Sequence, residues 1–130
     1  MMPTITALYA ALNALIMVTL ALLVVRHRGR AKAGIGDGGD PGLALAIRAH
    51  GNNTEYVPYA LVLLLLVELG AWPAWLVHVL GIMLTVGRVA HGYGLSQSKG
   101  TSPGRAIGML GTWLAILIAA GLCLWRAIVG

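Results

Sequence analysis

Four long apolar segments divide the chain, at about 5–25, 43–69, 73–94 and 104–126, each near or above the roughly 20 residues that cross a bilayer as a helix. Short polar segments separate them, and that alternation predicts an all-α fold with four membrane helices. The second segment breaks the apolar pattern along one side only. Arg48, Asn52, Glu55 and Tyr59 recur at i, i+4, i+7 and i+11, the spacing of a single helical stripe, and the run from Ala60 to Val67 follows without a polar group.

A charged side chain facing lipid costs several kcal/mol, so the stripe is expected to face protein or a watery cavity. It begins at the loop end of the helix and reaches about 16 Å into it, roughly half the hydrocarbon core. Tyr56 flanks it. Arg48 and Glu55 stand two turns apart, so each is expected to find its partner on another helix, another subunit or a ligand. Pro58 removes a backbone donor and frees the carbonyl of Thr54, loosening the helix beside the stripe.

Composition sharpens the membrane reading. The 130 residues are 58% hydrophobic and 10% charged, against about 25% charged in ordinary soluble domains. A net charge of +5 would suggest nucleic acid for a soluble protein. Here the basic residues sit in connecting segments, which topology explains and nucleic acid does not. Arg26, Arg28, Arg30 and Lys32 follow the first span, and Lys99 and Arg105 bracket the third connection, whereas Gly70-Ala71-Trp72-Pro73 carries no basic residue. The positive-inside rule then puts loops 1–2 and 3–4 in the cytoplasm and both termini outside. Trp72, Trp75 and Trp125 suit an interfacial aromatic belt. The first span lacks a basic segment before it and reads as a retained helix rather than a signal peptide. A short chain of this kind suits a bacterial inner membrane.

The remaining polar features divide into structural and chemical candidates. The Gly-rich segment 34–42 lacks the Lys-Ser/Thr ending of a phosphate loop, so it reads as a turn in which Asp40 caps the second helix and Pro41 opens it. Gly104, Gly108, Gly111, Ala115 and Ala119 share one face of the fourth span and predict a close helix–helix seam. Asn13 is a candidate interhelical hydrogen bonder. Glu68 lies roughly 160° from the stripe and reads as interfacial; His78, near the outer end, reads as an interfacial or packed residue rather than a ligand. Arg88 and His91 end the third span at the level where the stripe starts; the bland alternative is that they snorkel to headgroups. The lone Cys123 supports no disulfide, and no His, Cys and carboxylate cluster has metal spacing.

The segment from Arg48 to Pro58 carries Arg-x-x-x-Asn-x-x-Glu-Tyr-x-Pro. It resembles the signature of the MAPEG family, the membrane-associated proteins of eicosanoid and glutathione metabolism. Arg88 followed by Gly92-Tyr93 is similar to the family's second element, and the resemblance covers most of the chain as one domain, 1–130. It implies a four-helix bundle assembled as a homotrimer in membrane lipid, with glutathione as cosubstrate between subunits. Arg48, Asn52, Glu55, Tyr56, Tyr59, Arg88 and Tyr93 would bind glutathione through its carboxylates, ammonium and peptide groups. Arg105, at the start of the fourth span, would be the catalytic residue that activates the thiol toward a lipophilic electrophile. The third connection departs from the family pattern, and Val89 stands where eicosanoid enzymes often carry tyrosine.

The expectation is a membrane-bound glutathione transferase or peroxidase of the microsomal type, serving detoxification, with no metal and no nucleic-acid partner. Two rivals remain: a non-catalytic lipid- or ligand-binding protein on the same fold, and a small four-helix cation exporter. The exporter would need an isolated membrane carboxylate, and Glu55 shares its face with Arg48.

Overall fold

A computed structural model describes residues 2–97 and 100–130. Four helices follow in order, α1 (Thr4–Ala31), α2 (Pro41–Leu69), α3 (Ala74–Gln97) and α4 (Pro103–Val129), with no strand among the described residues. Lys99, used above for topology, lies outside the described residues. Short connections make successive helices antiparallel, so Arg26, Arg28, Arg30, Arg48, Arg88 and Arg105 gather at one end of the bundle. The turn at Gly70–Pro73 and both termini lie at the other. Helices α1, α3 and α4 are long and apolar enough to cross a membrane. Helix α2 is not, although its 29 residues are as long as its neighbours. Its polar stripe removes the apolarity that an independent span requires.

The helix ends explain the boundaries. The Asp40 carboxylate accepts from the Leu43 amide at 2.6 Å and caps α2, with Pro41 at its first position. Ser102 caps α4 in the same manner, accepting from the Arg105 amide at 3.3 Å. Helix α1 closes on Lys32 in the left-handed conformation. Its N-terminus, preceded by Pro3, has no local side-chain cap. The partner comes from α2: Glu68 accepts from the amides of Ile5 at 3.0 Å and Thr6 at 2.6 Å. Glu68 is therefore no interfacial bystander. Its charge sits on the positive end of the α1 dipole and clasps α1 to the α2–α3 hairpin. Beside it, the Tyr9 hydroxyl meets His78 Nδ1 at 2.9 Å, which also gives His78 a packed role.

Helix α1 packs on α2 and α3, and α4 packs on α3 and α2; α1 and α4 do not touch among the described residues. The α3–α4 contact is the tightest. A Cβ on Gly108 would lie 2.5 Å from the Gly87 carbonyl oxygen, and one on Gly87 would lie 2.8 Å from that of Gly108. The small-residue face thus forms the expected seam, with Ala115 and Ala119 continuing it into the core. Asn13 crosses between helices as expected, donating to Thr85 Oγ1 at 2.9 Å. The apolar core runs in layers along the bundle. Tyr9, Leu64, Val67, Val77, Leu80 and Ala119 form one layer; Ala60, Leu84 and Ala115 form the next. Leu20, Ala49 and Leu95 close the basic end. Between the last two, the core turns polar.

Candidate functional site

That polar level is built around Arg88. Its side chain is only 2% exposed, with Nη1 donating to Asn52 Oδ1 at 2.7 Å and Nε donating to Thr112 Oγ1 at 2.9 Å. The Thr112 hydroxyl passes the chain on to the Gly108 carbonyl at 2.9 Å. The Tyr56 ring lies 5.8 Å from the guanidinium carbon, within cation–π range, and Met109 Sδ is 3.3 Å from Nη2. Arg88 does not snorkel. It points inward because the glycine seam brings α4 close enough for Thr112 and Gly108 to receive it, and it ties α2, α3 and α4 together.

The stripe on α2 divides around this network. Asn52 turns inward to Arg88, while Arg48, Glu55 and Tyr59 face outward. Arg48 and Glu55 pair directly, with two parallel bonds of 3.1 Å, and their side chains are 58% and 52% exposed. The expectation that they find separate partners is overturned. A separation of i, i+7 is about 10 Å along the axis but only some 20° around it, and the long arginine spans the gap. Tyr59, one turn further, is 73% exposed. Helix α2 runs without interruption through Pro58.

At the end of α3, His91 is buried, and its charged neighbours are the guanidiniums of Arg88, Arg105 and Arg48. A pocket of about 210 Å³ opens there, lined by His91, Thr101, Ser102, Arg105, Ala106 and Met109. The Arg105 guanidinium folds back to the Gly100 carbonyl. Tyr93 is 70% exposed and stands on the other side of α3, facing the groove toward α1. The structure therefore joins Asn52, Tyr56 and Arg88 in one network and Arg48 with Glu55 in a neighbouring pair. Arg105 sits by His91, and Tyr59 and Tyr93 are set apart on separate faces.

Two partners in this site escaped the sequence reading, and a third was seen without its surroundings. Thr112 and Met109 were hidden in an apolar helix, and only the adjacent small-residue face hinted that α4 comes so close. His91 was visible at its position beside Arg88, but its place among three arginines depends on tertiary packing. Chemically, the site is a cationic enclosure at one end of a membrane bundle. Neither Arg88 nor Arg105 has a carboxylate partner among the described residues.

Comparison with known proteins adds a family to this description. Residues 6–125 match the model of the MAPEG family. The inner membrane protein YecN of Escherichia coli K12 is 41% identical over 121 residues, covering 93% of this chain and 91% of YecN. The YecN of E. coli O6:H1 matches to the same extent. No solved structure matches significantly.

Proposed function

The chain belongs to the MAPEG family and is an integral inner-membrane protein, and from that premise we propose that it is a trimeric glutathione transferase or peroxidase acting on lipophilic electrophiles. The observation that carries this reading is the excess of positive charge around His91. Arg88 stands one turn before it and Arg105 lines the same pocket, neither with a carboxylate partner among the described residues, and Glu55 is already engaged by Arg48. An anionic ligand would relieve that excess, and glutathione with its thiol ionised carries two net negative charges.

The Arg48–Glu55 pair suits the γ-glutamyl end. A zwitterionic ammonium and carboxylate can exchange with such a pair, the ammonium joining Glu55 and the carboxylate joining Arg48 bidentately. Asn52 and Tyr56, held in place by Arg88, line the inner wall; Arg88 is then a positioning residue, its donors committed to protein. Tyr59 and Tyr93 remain hydroxyls for the ligand only if a second copy brings their faces to it. A half-exposed ion pair in a bilayer supports such a homotrimer, because lipid solvates it poorly.

Arg105 would stabilise the thiolate. A free thiol titrates near 8.5, and lowering that by about two units takes roughly 2.7 kcal/mol of differential stabilisation. A guanidinium beside the sulfur, shielded from bulk water, supplies an interaction of that size. The thiolate then forms a carbon–sulfur bond with the electrophile, and the displaced electron pair leaves with the departing group. In the peroxidase form, it attacks the O–O bond of a hydroperoxide and a second glutathione completes the disulfide, releasing alcohol and water.

The folded-back Arg105 favours a second reading, binding of a thiol or lipid ligand without turnover. The Arg48 partner of Glu55 speaks against the cation exporter, which needs an isolated carboxylate. Calorimetric titration of the detergent-solubilised protein with glutathione, alongside thiolate absorbance, separates the readings. Saturable binding with thiolate formation is expected, and Arg105→Ala should abolish the thiolate while leaving most of the affinity. Binding without thiolate or conjugation supports the second reading. Absence of glutathione binding overturns the transferase and peroxidase reading.

A further inference from the structure

Apart from the His91 pocket, a mostly apolar groove of about 460 Å³ runs between α1 and α3, with the buried Arg88 among its lining residues. Leu12, Ile16 and Leu23 form one wall, and Thr85, Val89 and Tyr93 lie along the other. Both walls belong to helices apolar enough to cross the membrane, so the groove opens into hydrocarbon rather than water. Its volume lies within the range of small-molecule sites, roughly 300–1,000 Å³, and its lining suits an alkyl chain.

The groove has a charged mouth. Arg26 and Arg30 follow Thr19 and Leu23 at i+7, the two-turn spacing that keeps residues on one face of α1. Both arginines are exposed and form no hydrogen bond or ion pair among the described residues. Arg28, between them, differs: its guanidinium donates to the carbonyls of Ala33 at 3.2 Å and Gly36 at 2.9 Å, holding the loop. Helix α1 contains no acid to neutralise the pair. Along one face, then, an alkyl-lined trough leads directly to two uncommitted guanidiniums at the expected level of the headgroups.

We propose that this groove is a specific site for one anionic phospholipid of the surrounding bilayer, with an acyl chain between α1 and α3 and its phosphate held by Arg26 and Arg30. The charge and the alkyl lining belong to the same occupant, which distinguishes it from a neutral lipid and from a neighbouring helix. Of the residues assigned to glutathione, Arg88 and Tyr93 also line the groove, but the phosphate contacts proposed here, Arg26 and Arg30, are not among them, and the site stands whether or not the protein is an enzyme.

Native mass spectrometry of the purified, delipidated protein titrated with dioleoyl phosphatidylglycerol or dioleoyl phosphatidylcholine provides the test. The wild type should bind one phosphatidylglycerol per protomer saturably, in preference to phosphatidylcholine. Replacing both Arg26→Gln and Arg30→Gln should weaken phosphatidylglycerol roughly thirtyfold, given two basic contacts, and erase the preference. Val89→Trp, which fills the groove, should exclude both lipids; Leu15→Trp on the facing wall serves if that variant does not fold. Equal binding of the two lipids, or unchanged affinity in the arginine variant, overturns the proposal. So does a groove-filling variant that alters oligomeric state while lipid binding persists, since the groove would then be a contact between copies.

Discussion

A guanidinium enclosed within a membrane protein must be held either by a carboxylate or by an array of neutral dipoles, and Arg88 is held by the second. Asn52, Thr112, the Met109 sulfur and the Tyr56 ring share the charge between them. Hydrogen bonds to a charged group contribute about 1.5–3 kcal/mol each, and orphaning their buried partners adds to the loss. Arg88→Met should therefore cost about 2–4 kcal/mol. Arg88→Lys should recover little of it, because a single ammonium cannot reach both Asn52 and Thr112 with a fork geometry. Thermal unfolding in one fixed detergent checks this, and a melting temperature unchanged in both variants would remove Arg88 from its central place. A cycle combining Arg88→Met with Asn52→Leu should show coupling of about 1–3 kcal/mol. The sequence made Arg88 and Asn52 visible as polar groups in apolar surroundings, but not as partners. Their contact joins two helices, and spacing along one helix carries no information about it. The Arg48–Glu55 pair shows the opposite shortfall. Both residues are on one helix, yet counting backbone turns understates how far an arginine reaches.

At the scale of the helix, two contacts hold the bundle by different physics. The α3–α4 seam depends on the absence of atoms. Gly108→Ala would drive a methyl group against the Gly87 carbonyl and the His91 amide, at 2.5 and 2.6 Å, where backbone cannot easily move aside. Overpacking of this kind costs about 1–3 kcal/mol, and it should also displace Thr112 from Arg88. Gly121→Ala, with nothing within 4 Å of the new carbon, is the matched control and should be neutral or mildly stabilising. Equal melting temperatures for the two variants would contradict the seam. The clasp at the other end depends on charge. Glu68→Gln removes the anion from the α1 N-terminus and should cost about 0.5–2 kcal/mol, in the range of a lost cap. Hydrogen exchange should accelerate at Ile5 and Thr6 while the α3–α4 seam stays protected; uniform exchange across α1 would argue against the clasp. The seam was legible because small residues repeat on one face of α4. The clasp was not, since Glu68 is separated from α1 by most of the hairpin and nothing local marks it as a cap.

At the scale of the whole molecule, the protomer leaves its most polar outer face uncovered. Arg48, Glu55 and Tyr59 form an outward strip on α2, which is also the helix whose composition falls short of an independent span. The other exposed surfaces, such as Leu15 and Leu22 on α1 and Leu117 and Leu124 on α4, are alkyl and suit lipid. The difference marks this strip as the face that the proposed trimer would bury between copies. Sequence periodicity located the strip, but it could not separate its outward members from the inward Asn52, because only the position of α3 decides which edge is enclosed. The prediction follows from the cost of leaving the strip in hydrocarbon. In a Cys123→Ser background, Tyr59→Cys in native membranes should cross-link between copies with a short bifunctional maleimide, giving a covalent dimer band, the most that one thiol per copy allows. The same reagent should leave Leu117→Cys monomeric if that face meets lipid. If Tyr59→Cys remains monomeric while a lipid-soluble maleimide modifies it freely, the strip faces the bilayer alone. In that case the Arg48–Glu55 pair would be satisfied within one protomer, and a ligand shared across a subunit boundary would lose its physical basis.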